Sequence, residues 1–189
     1  MQFPLNSLGL THKFMAEHIK EGGVCIDATA GKGRDTAFLC SLVGKNGKVL
    51  AFDIQSSAVE QTKALINEKG FGNIASVYLD SHENIGNYSE KESVDGIMFN
   101  LGWLPGGDHN LFSKPTSTIK AITEGLKLLK PGGVMSVCIY HGKETGTAEK
   151  DALLPFFETI DNIKYTVLKV DFVNRTGEIP IPVLIIKEK

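Results

Sequence analysis

Residues 24–36 read Val-Cys-Ile-Asp-Ala-Thr-Ala-Gly-Lys-Gly-Arg-Asp-Thr. A short apolar run ends in Asp27, breaks into a Gly-x-Gly turn at Gly31 and Gly33, and resumes as an amphipathic segment from Thr36 to Val43. That order predicts a buried strand, a tight loop and a helix. A second apolar run, Lys48 to Phe52, ends in Asp53. In an open α/β sheet both strand ends face one crevice, where a ligand lies across them. An acid at the second strand end suits the two hydroxyls of a ribose, so the pattern predicts a nucleoside-containing cofactor.

Two cofactor classes use such a loop. A dinucleotide fold wants Gly-x-Gly-x-x-Gly, with the third glycine packing helix against strand. Thr36 stands where that glycine belongs, and no second mononucleotide half follows. The other pattern is acid-x-Gly-x-Gly-x-Gly, the S-adenosylmethionine (SAM) turn. Asp27, Gly31 and Gly33 fit it, with Thr29 in place of its first glycine. SAM has no pyrophosphate; its methionine end needs donors and acceptors, which Asp27, Ala28 and the other turn amides, Thr29, Asp35 and Thr36 supply. The simpler alternative is that the glycines shape a βα turn and Asp27 caps it.

The rest of the chain alternates regularly. Helices are expected at Ser7–Lys20 (stripe Leu8, Phe14, Met15, Ile19), from the turn to Val43, Ser56–Lys69 with Ser56 as cap, His82–Tyr88, Pro115–Leu129 and Ala148–Thr159. Strands are expected at Val24–Asp27, Lys48–Asp53, Ile74–Leu79, Val94–Asn100, Val134–Tyr140, Tyr165–Val173 and Val183–Ile186. Alternation implies a parallel sheet with helices on both faces. The last two strands are joined by too short a loop for a crossover, so they pair antiparallel. A seven-stranded, mostly parallel Rossmann-like sheet with an antiparallel last strand is the class I architecture of SAM-dependent methyltransferases.

Bulk properties agree with one compact domain over residues 1–189. A chain of this length buries roughly 70% of its unfolded surface, enough for a core without staples. No apolar run reaches membrane-spanning length and no signal-peptide pattern opens the chain. Cys25, Cys40 and Cys138 lack metal-ligand spacing and read as free thiols in a reducing cytoplasm. A net charge of −2 does not advertise nucleic acid, so such a partner needs a local patch.

The strand ends place the remaining candidates. Asp53 faces the ribose, with Ile54 or Gln55 on the adenine and Ser81 and His82 at its edge; Asp80 is the alternative cap of the short helix. Asn100-Leu-Gly-Trp103 stands where amine-directed methyltransferases keep an Asp/Asn-Pro-Pro-aromatic motif. The amide oxygen of Asn100 accepts an N–H and orients an amine, and Trp103 stacks on a planar base. Asp108 binds an ammonium or is simply solvated. Tyr140 stacks or donates, and His141 is the better mobile base because its ordinary pKa lies near neutrality. For Tyr140 the alternative is core packing, and for His141 a strand-end hydrogen bond. Lys32, Arg34, Lys114, Lys143 and Arg175 fall on the crevice loops, diluted by Asp35, Asp108, Glu144 and Glu178. This mixed rim predicts salt-sensitive, modest binding of a single-stranded loop.

Phe99-Asn-Leu-Gly-Trp-Leu-Pro-Gly-Gly-Asp108, with Asp27-Ala-Thr-Ala-Gly-Lys-Gly-Arg-Asp-Thr36, Phe52-Asp-Ile-Gln55, Ser81-His82, Ser117-Thr-Ile-Lys-Ala121 and Tyr140-His-Gly142, resembles the bacterial MnmM/YtqB family. The resemblance runs from Asp27 to Gly142 and more loosely to the C-terminus. It implies a SAM-dependent tRNA methyltransferase acting on 5-aminomethyl-2-thiouridine at the wobble position, with the anticodon loop as partner, no metal and no membrane, and a homo-oligomer left open. The family often has Tyr where Trp103 stands, which keeps a stacking face and removes a hydroxyl. Alternatives are an rRNA or small-amine methyltransferase, or a non-catalytic SAM-binding module.

Overall fold

A computed structural model describes residues 3–102 and 113–189, with backbone only for 143–145. In chain order the elements are α1 (Ser7–His18), β1 (Val24–Asp27), α2 (Arg34–Val43), β2 (Lys48–Asp53), α3 (Ser56–Glu68), β3 (Ala75–Leu79), a 3-10 helix (His82–Asn87), β4 (Val94–Leu101), α4 (Pro115–Leu128), β5 (Leu129–Ile139), α5 (Lys143–Glu158), β6 (Tyr165–Lys169) and β7 (Ile181–Lys187). All seven strands form one sheet in the order β3-β2-β1-β4-β5-β7-β6. β7 runs antiparallel to both β5 and β6, and the other pairs are parallel. Strand order reverses between β1 and β4, and that switch point opens the crevice.

Period-two alternation sorts each strand's side chains onto two faces. Cys25, Val49 and Met98 join Met15 of α1 and Leu39 and Cys40 of α2. Ile26, Leu50 and Phe99 join Ile122 of α4 and Leu153 of α5 on the other face. Fully burying one such aliphatic or aromatic side chain stabilises by about 1.5–3 kcal/mol. Two sealed layers therefore hold the strand ends rigid.

Register then sets the height of the site. Asp27 pairs with Ala51 on one side and Met98 on the other. Asp53 and Asn100 each lie two residues farther along their strands. They stand as two posts on either side of the loop that leaves β1.

Several boundaries differ from the sequence expectation. α1 stops at His18, and Leu8 is half-buried rather than part of its core stripe. α2 starts two residues early, at Arg34, because Gly33 adopts a left-handed φ of 77° that lets the chain enter the helix at once. The residue before α3 is Gln55, so Ser56 lies inside the helix. β3 begins one residue late, at Ala75. Ser81, not Asp80, caps the 3-10 helix: its Oγ accepts from Glu83 N–H at 3.3 Å, whereas Asp80 accepts from Asn84 and Tyr88.

β5 begins at Leu129 because that residue pairs with Val94, and the Pro131-Gly-Gly133 stretch is absorbed as an irregularity between Val94 and Gly96. α5 begins at Lys143, over a Gly/Thr-rich turn with weak helix propensity. There Gly146 packs so closely that a Cβ would lie 2.9 Å from the Tyr140 carbonyl oxygen. β6 ends at Lys169, four residues short of Val173, while β7 is longer than expected at both ends. Among the described residues no helix is long and apolar enough to cross a membrane.

Candidate active site

The loop after β1 is stitched to both neighbouring strands. Ala28 N–H donates to the Met98 carbonyl of β4 and Ala30 N–H to the Phe52 carbonyl of β2, each at 2.9 Å. Gly31 has φ 54°, and its N–H donates to Asp53 Oδ2 at 2.9 Å. The other Asp53 oxygen accepts from Gln55 N–H at 2.9 Å. Each carboxylate oxygen keeps further lone-pair capacity on the crevice side. Gly33 serves a different purpose: a Cβ there would lie 2.9 Å from Thr62 Cα, so only glycine lets the loop rest on α3.

Asp27 is fully buried. Its Oδ1 accepts from Thr29 N–H at 3.1 Å and its Oδ2 from the Thr36 hydroxyl at 2.6 Å. Burial, reinforced by the neighbouring Asp35 charge, pushes its carboxyl up to about 7. Sequence reasoning put Asp27, Gly33 and Thr36 against the cofactor. The structure brings none of the three to the cleft wall, because their polar groups and close contacts are spent shaping the loop.

The cleft has a volume of about 500 Å³, within the range of small-molecule sites. Ala28, Thr29, Gly31 and Asp35 line it from the first loop, and Asp53, Ile54 and Gln55 from the end of β2. Ser81 and His82 line it from the end of β3, Asn100 from β4 and Tyr140 from β5. All eleven were expected there. Leu8, Phe52, Ser113 and Ser117 also line it and were missed. Leu8 belongs to an apolar helical stripe in the sequence, Ser113 carries no signal there, and Ser117 stands out only as part of the Ser117–Ala121 motif. Trp103 and Asp108 lie outside the described residues.

Among the described residues, two buried polar atoms on cleft residues have no protein partner: Asn100 Oδ1 and His82 Nε2. Asn100 is held at three points on its own side. Its backbone N–H donates to Thr29 Oγ1 at 2.8 Å, and Nδ2 donates to Asp35 Oδ2 at 3.2 Å. The strand pairing with Cys138 fixes its backbone. An ionised carboxylate only accepts, so Asp35 dictates which end of the amide is nitrogen and sends the oxygen the other way. His82 is nearly buried and packs edge-on to Phe99. Desolvation lowers its pKa despite a hydrogen bond to the Ala28 backbone, so the ring is neutral at pH 7.

Tyr140 is 40% exposed. Burial of its phenol, followed by the nearby Cys138 and Asp35, pushes its pKa up to about 12, so the phenol keeps its proton at neutral pH. His141 does not line the cleft: its Nε2 is 2.7 Å from the Ile179 carbonyl oxygen. The reading of His141 as a mobile base therefore gives way to the strand-end hydrogen bond that was its alternative. Arg175 is likewise taken from the rim, bonding the Leu5 carbonyl and covering the Phe172 ring at 4.2 Å. Lys32 and Arg34 do line the cleft. The three cysteines are buried with thiols pushed upward, Cys40 and Cys138 to about 12, which removes them as nucleophiles. Among the described residues no cluster of three or more His, Cys, Asp or Glu is arranged to hold a metal.

The donor set fits SAM better than a dinucleotide. Asp35 sits in the first turn of α2, the positive helix end where a pyrophosphate would bind. A carboxylate there repels a phosphate and, with Asp53 and Asp80 on the same wall, favours a cation.

Residues 49–186 match the family model described as "Putative rRNA methylase". The chain is 31% identical over 175 residues to the chloroplastic tRNA (mnm(5)s(2)U34)-methyltransferase of Arabidopsis thaliana. That match takes in 88% of this chain and 64% of the relative, so the chain spans less than two-thirds of the relative's length. It superposes on a "putative rRNA-methylase" from Clostridium thermocellum with a TM-score of 0.95 at 40% identity, over 98% of this chain and 100% of the other. A "putative methyltransferase" from Streptococcus mutans, solved in complex with SAH, gives 0.87 at 33% identity over 97% and 99%.

Proposed function

The chain belongs to this rRNA methylase family, and from that premise we propose that it is a SAM-dependent N-methyltransferase converting 5-aminomethyl-2-thiouridine at the tRNA wobble position to the 5-methylaminomethyl product. The observation that carries the reading is the buried, unpartnered Oδ1 of Asn100 on the cleft wall, with its amide orientation dictated by Asp35. The name of the Arabidopsis relative supports the tRNA acceptor. Residues 1–189 are read as one catalytic domain, with the tRNA anticodon loop as its partner in the cytoplasm.

Bound SAM would supply an activated methyl on its sulfonium, with the N–C bond formed as the C–S bond breaks, S-adenosylhomocysteine as the leaving group and the amine proton passing to solvent. Asp53 holds the ribose hydroxyls with the lone pairs its two backbone donors leave over. His82 Nε2, as a neutral acceptor, takes an N–H of the adenine amine. Thr29 and the turn amides meet the methionine end.

Asn100 Oδ1 accepts an N–H of the incoming amine and so points its lone pair. Good alignment of this kind contributes roughly 7–11 kcal/mol to lowering the barrier. The amine must arrive neutral. For a lysine-like pKa of about 10.4, neutralisation at pH 7 costs roughly 4–5 kcal/mol. Asn100 carries no charge, so it orients the nitrogen without holding it in the ammonium form, as a carboxylate in its place would. Tyr140 donates to the base, and Lys32, Arg34 and Lys114 meet phosphates.

The test is transfer of labelled methyl from SAM to bulk tRNA from cells lacking this protein, followed by nucleoside mass spectrometry. Methyl gained on 5-aminomethyl-2-thiouridine is the expected result. Label confined to rRNA would move the acceptor, and SAM binding with no transfer to any RNA or amine would make the chain a binding module.

A further inference from the structure

We propose that His12 is a positioning residue for methyl transfer, acting through Asp35 on Asn100. The inference rests on the reading of Asn100 given above and extends it to a helix that lies before the first strand. His12 Nε2 is 2.7 Å from Asp35 Oδ1, and Asp35 Oδ2 accepts Asn100 Nδ2 at 3.2 Å. Three residues from α1, α2 and β4 thus form one line that ends at a cleft residue, Asn100, whose buried amide oxygen has no partner among the described residues.

The direction of control follows from the geometry. The bond from Asn100 is long, and on its own it leaves the carboxylate free to turn. The bond from His12 is short, and its ring is clamped: it stacks on Phe38 with centroids 4.0 Å apart and planes 13° apart, and Phe3 meets its edge. Asp35 is 6% exposed, so it has little water to fall back on. Because the carboxylate only accepts, His12 must carry its proton on Nε2. That N–H fixes the plane of Asp35, the plane fixes the amide nitrogen of Asn100, and the amide oxygen is thereby held on the opposite side of the amide. α1 is itself fastened at its start, where Asn6 caps it through Gly9 N–H and Ser7 reaches the Pro180 carbonyl.

Two substitutions separate the hydrogen bond from the ring. His12→Phe keeps the stack on Phe38 and deletes the donor. His12→Gln keeps a donor amide at similar reach and deletes the ring. In nitrogen-15 spectra of the whole protein, His12 is expected as the Nε2-protonated tautomer, and the Asn100 side-chain amide protons as shifted and protected from exchange. His12→Phe is expected to abolish that Asn100 signature and His12→Gln to keep it. On tRNA, His12→Phe is expected to lower kcat by about ten- to a hundred-fold, the cost of a small misplacement of a catalytic group, with KM for SAM changed by less than about threefold. His12→Gln is expected to restore most of kcat.

A neutral His12 with its one ring proton on Nδ1 in the wild-type protein would overturn the inference without any variant. So would an unchanged Asn100 signature in a folded His12→Phe, equal losses in both variants, which would deny any rescue by the restored donor, or a loss in His12→Gln alone, which would assign the effect to ring packing. The spectra need no acceptor. If the signature behaves as expected while wild-type protein methylates no tRNA, the relay stands and the proposed acceptor fails.

Discussion

The side-chain nitrogen of Asn100 donates to Asp35 at 3.2 Å, and the oxygen of the same amide is buried with no partner among the described residues. The pair is 65 residues apart in sequence. It converts a strand-end asparagine into an oriented acceptor, and Asn100→Ala tests that orientation. The variant is expected to lose about 10- to 100-fold in kcat, the cost of one hydrogen bond to a reacting group, with S-adenosylhomocysteine affinity nearly unchanged by calorimetry. Asn100→Asp is expected to be worse, since a second carboxylate would face Asp35.

Asp53 tests the other post of the cleft. Asp53→Ala removes the acceptor for Gly31 and Gln55 N–H together with the proposed ribose ligand. Its expected signature is a Kd for S-adenosylhomocysteine raised by about tenfold or more, corresponding to about 1.4 kcal/mol at the least. A variant that bound the nucleoside as tightly as wild type would remove Asp53 from the ribose.

Gly33 is a structural position. Gly33→Ala forces a side chain into a left-handed φ of 77° and brings its Cβ to 2.9 Å from Thr62 Cα. The expected loss is about 1–3 kcal/mol of stability, read as a lower midpoint in urea for the ligand-free protein. Gly132→Ala supplies a contrast: it shares a positive φ of 79° but meets nothing within 4 Å, so it should cost less.

Asp27 links stability to pH. Its folded pKa is about 7, well above the ordinary carboxyl value of 3.8, because of burial and then Asp35. Between those two values the folded state holds a proton that the unfolded chain has released. Stability from this group is therefore complete below about pH 4, declines as pH rises and levels off above about pH 7. Asp27→Asn is expected to flatten that decline, with melting temperatures of the ligand-free protein compared at pH 5 and pH 8. A variant whose melting temperature kept the wild-type slope would place the titration elsewhere.

The regular alternation of strands and helices was enough to read the sheet, its antiparallel last strand and the crevice, because hydrophobic periodicity encodes which face each residue buries. Asp53 and Asn100 were legible as cleft-lining residues for the same reason: each ends an apolar strand run, and parallel register carries both past Asp27. Only tertiary structure decided which polar groups are free. Asp27 and Thr36 sit beside the crevice in sequence but bond each other, and His141 ends a strand but turns to Ile179. His12 lies on a helix whose apolar spacing gave no hint of chemistry, and it reaches Asp35 across 23 residues. Periodicity reports on burial, which neighbours along the chain determine. A hydrogen bond of 2.7 Å depends on where distant elements pack, and no local pattern records that.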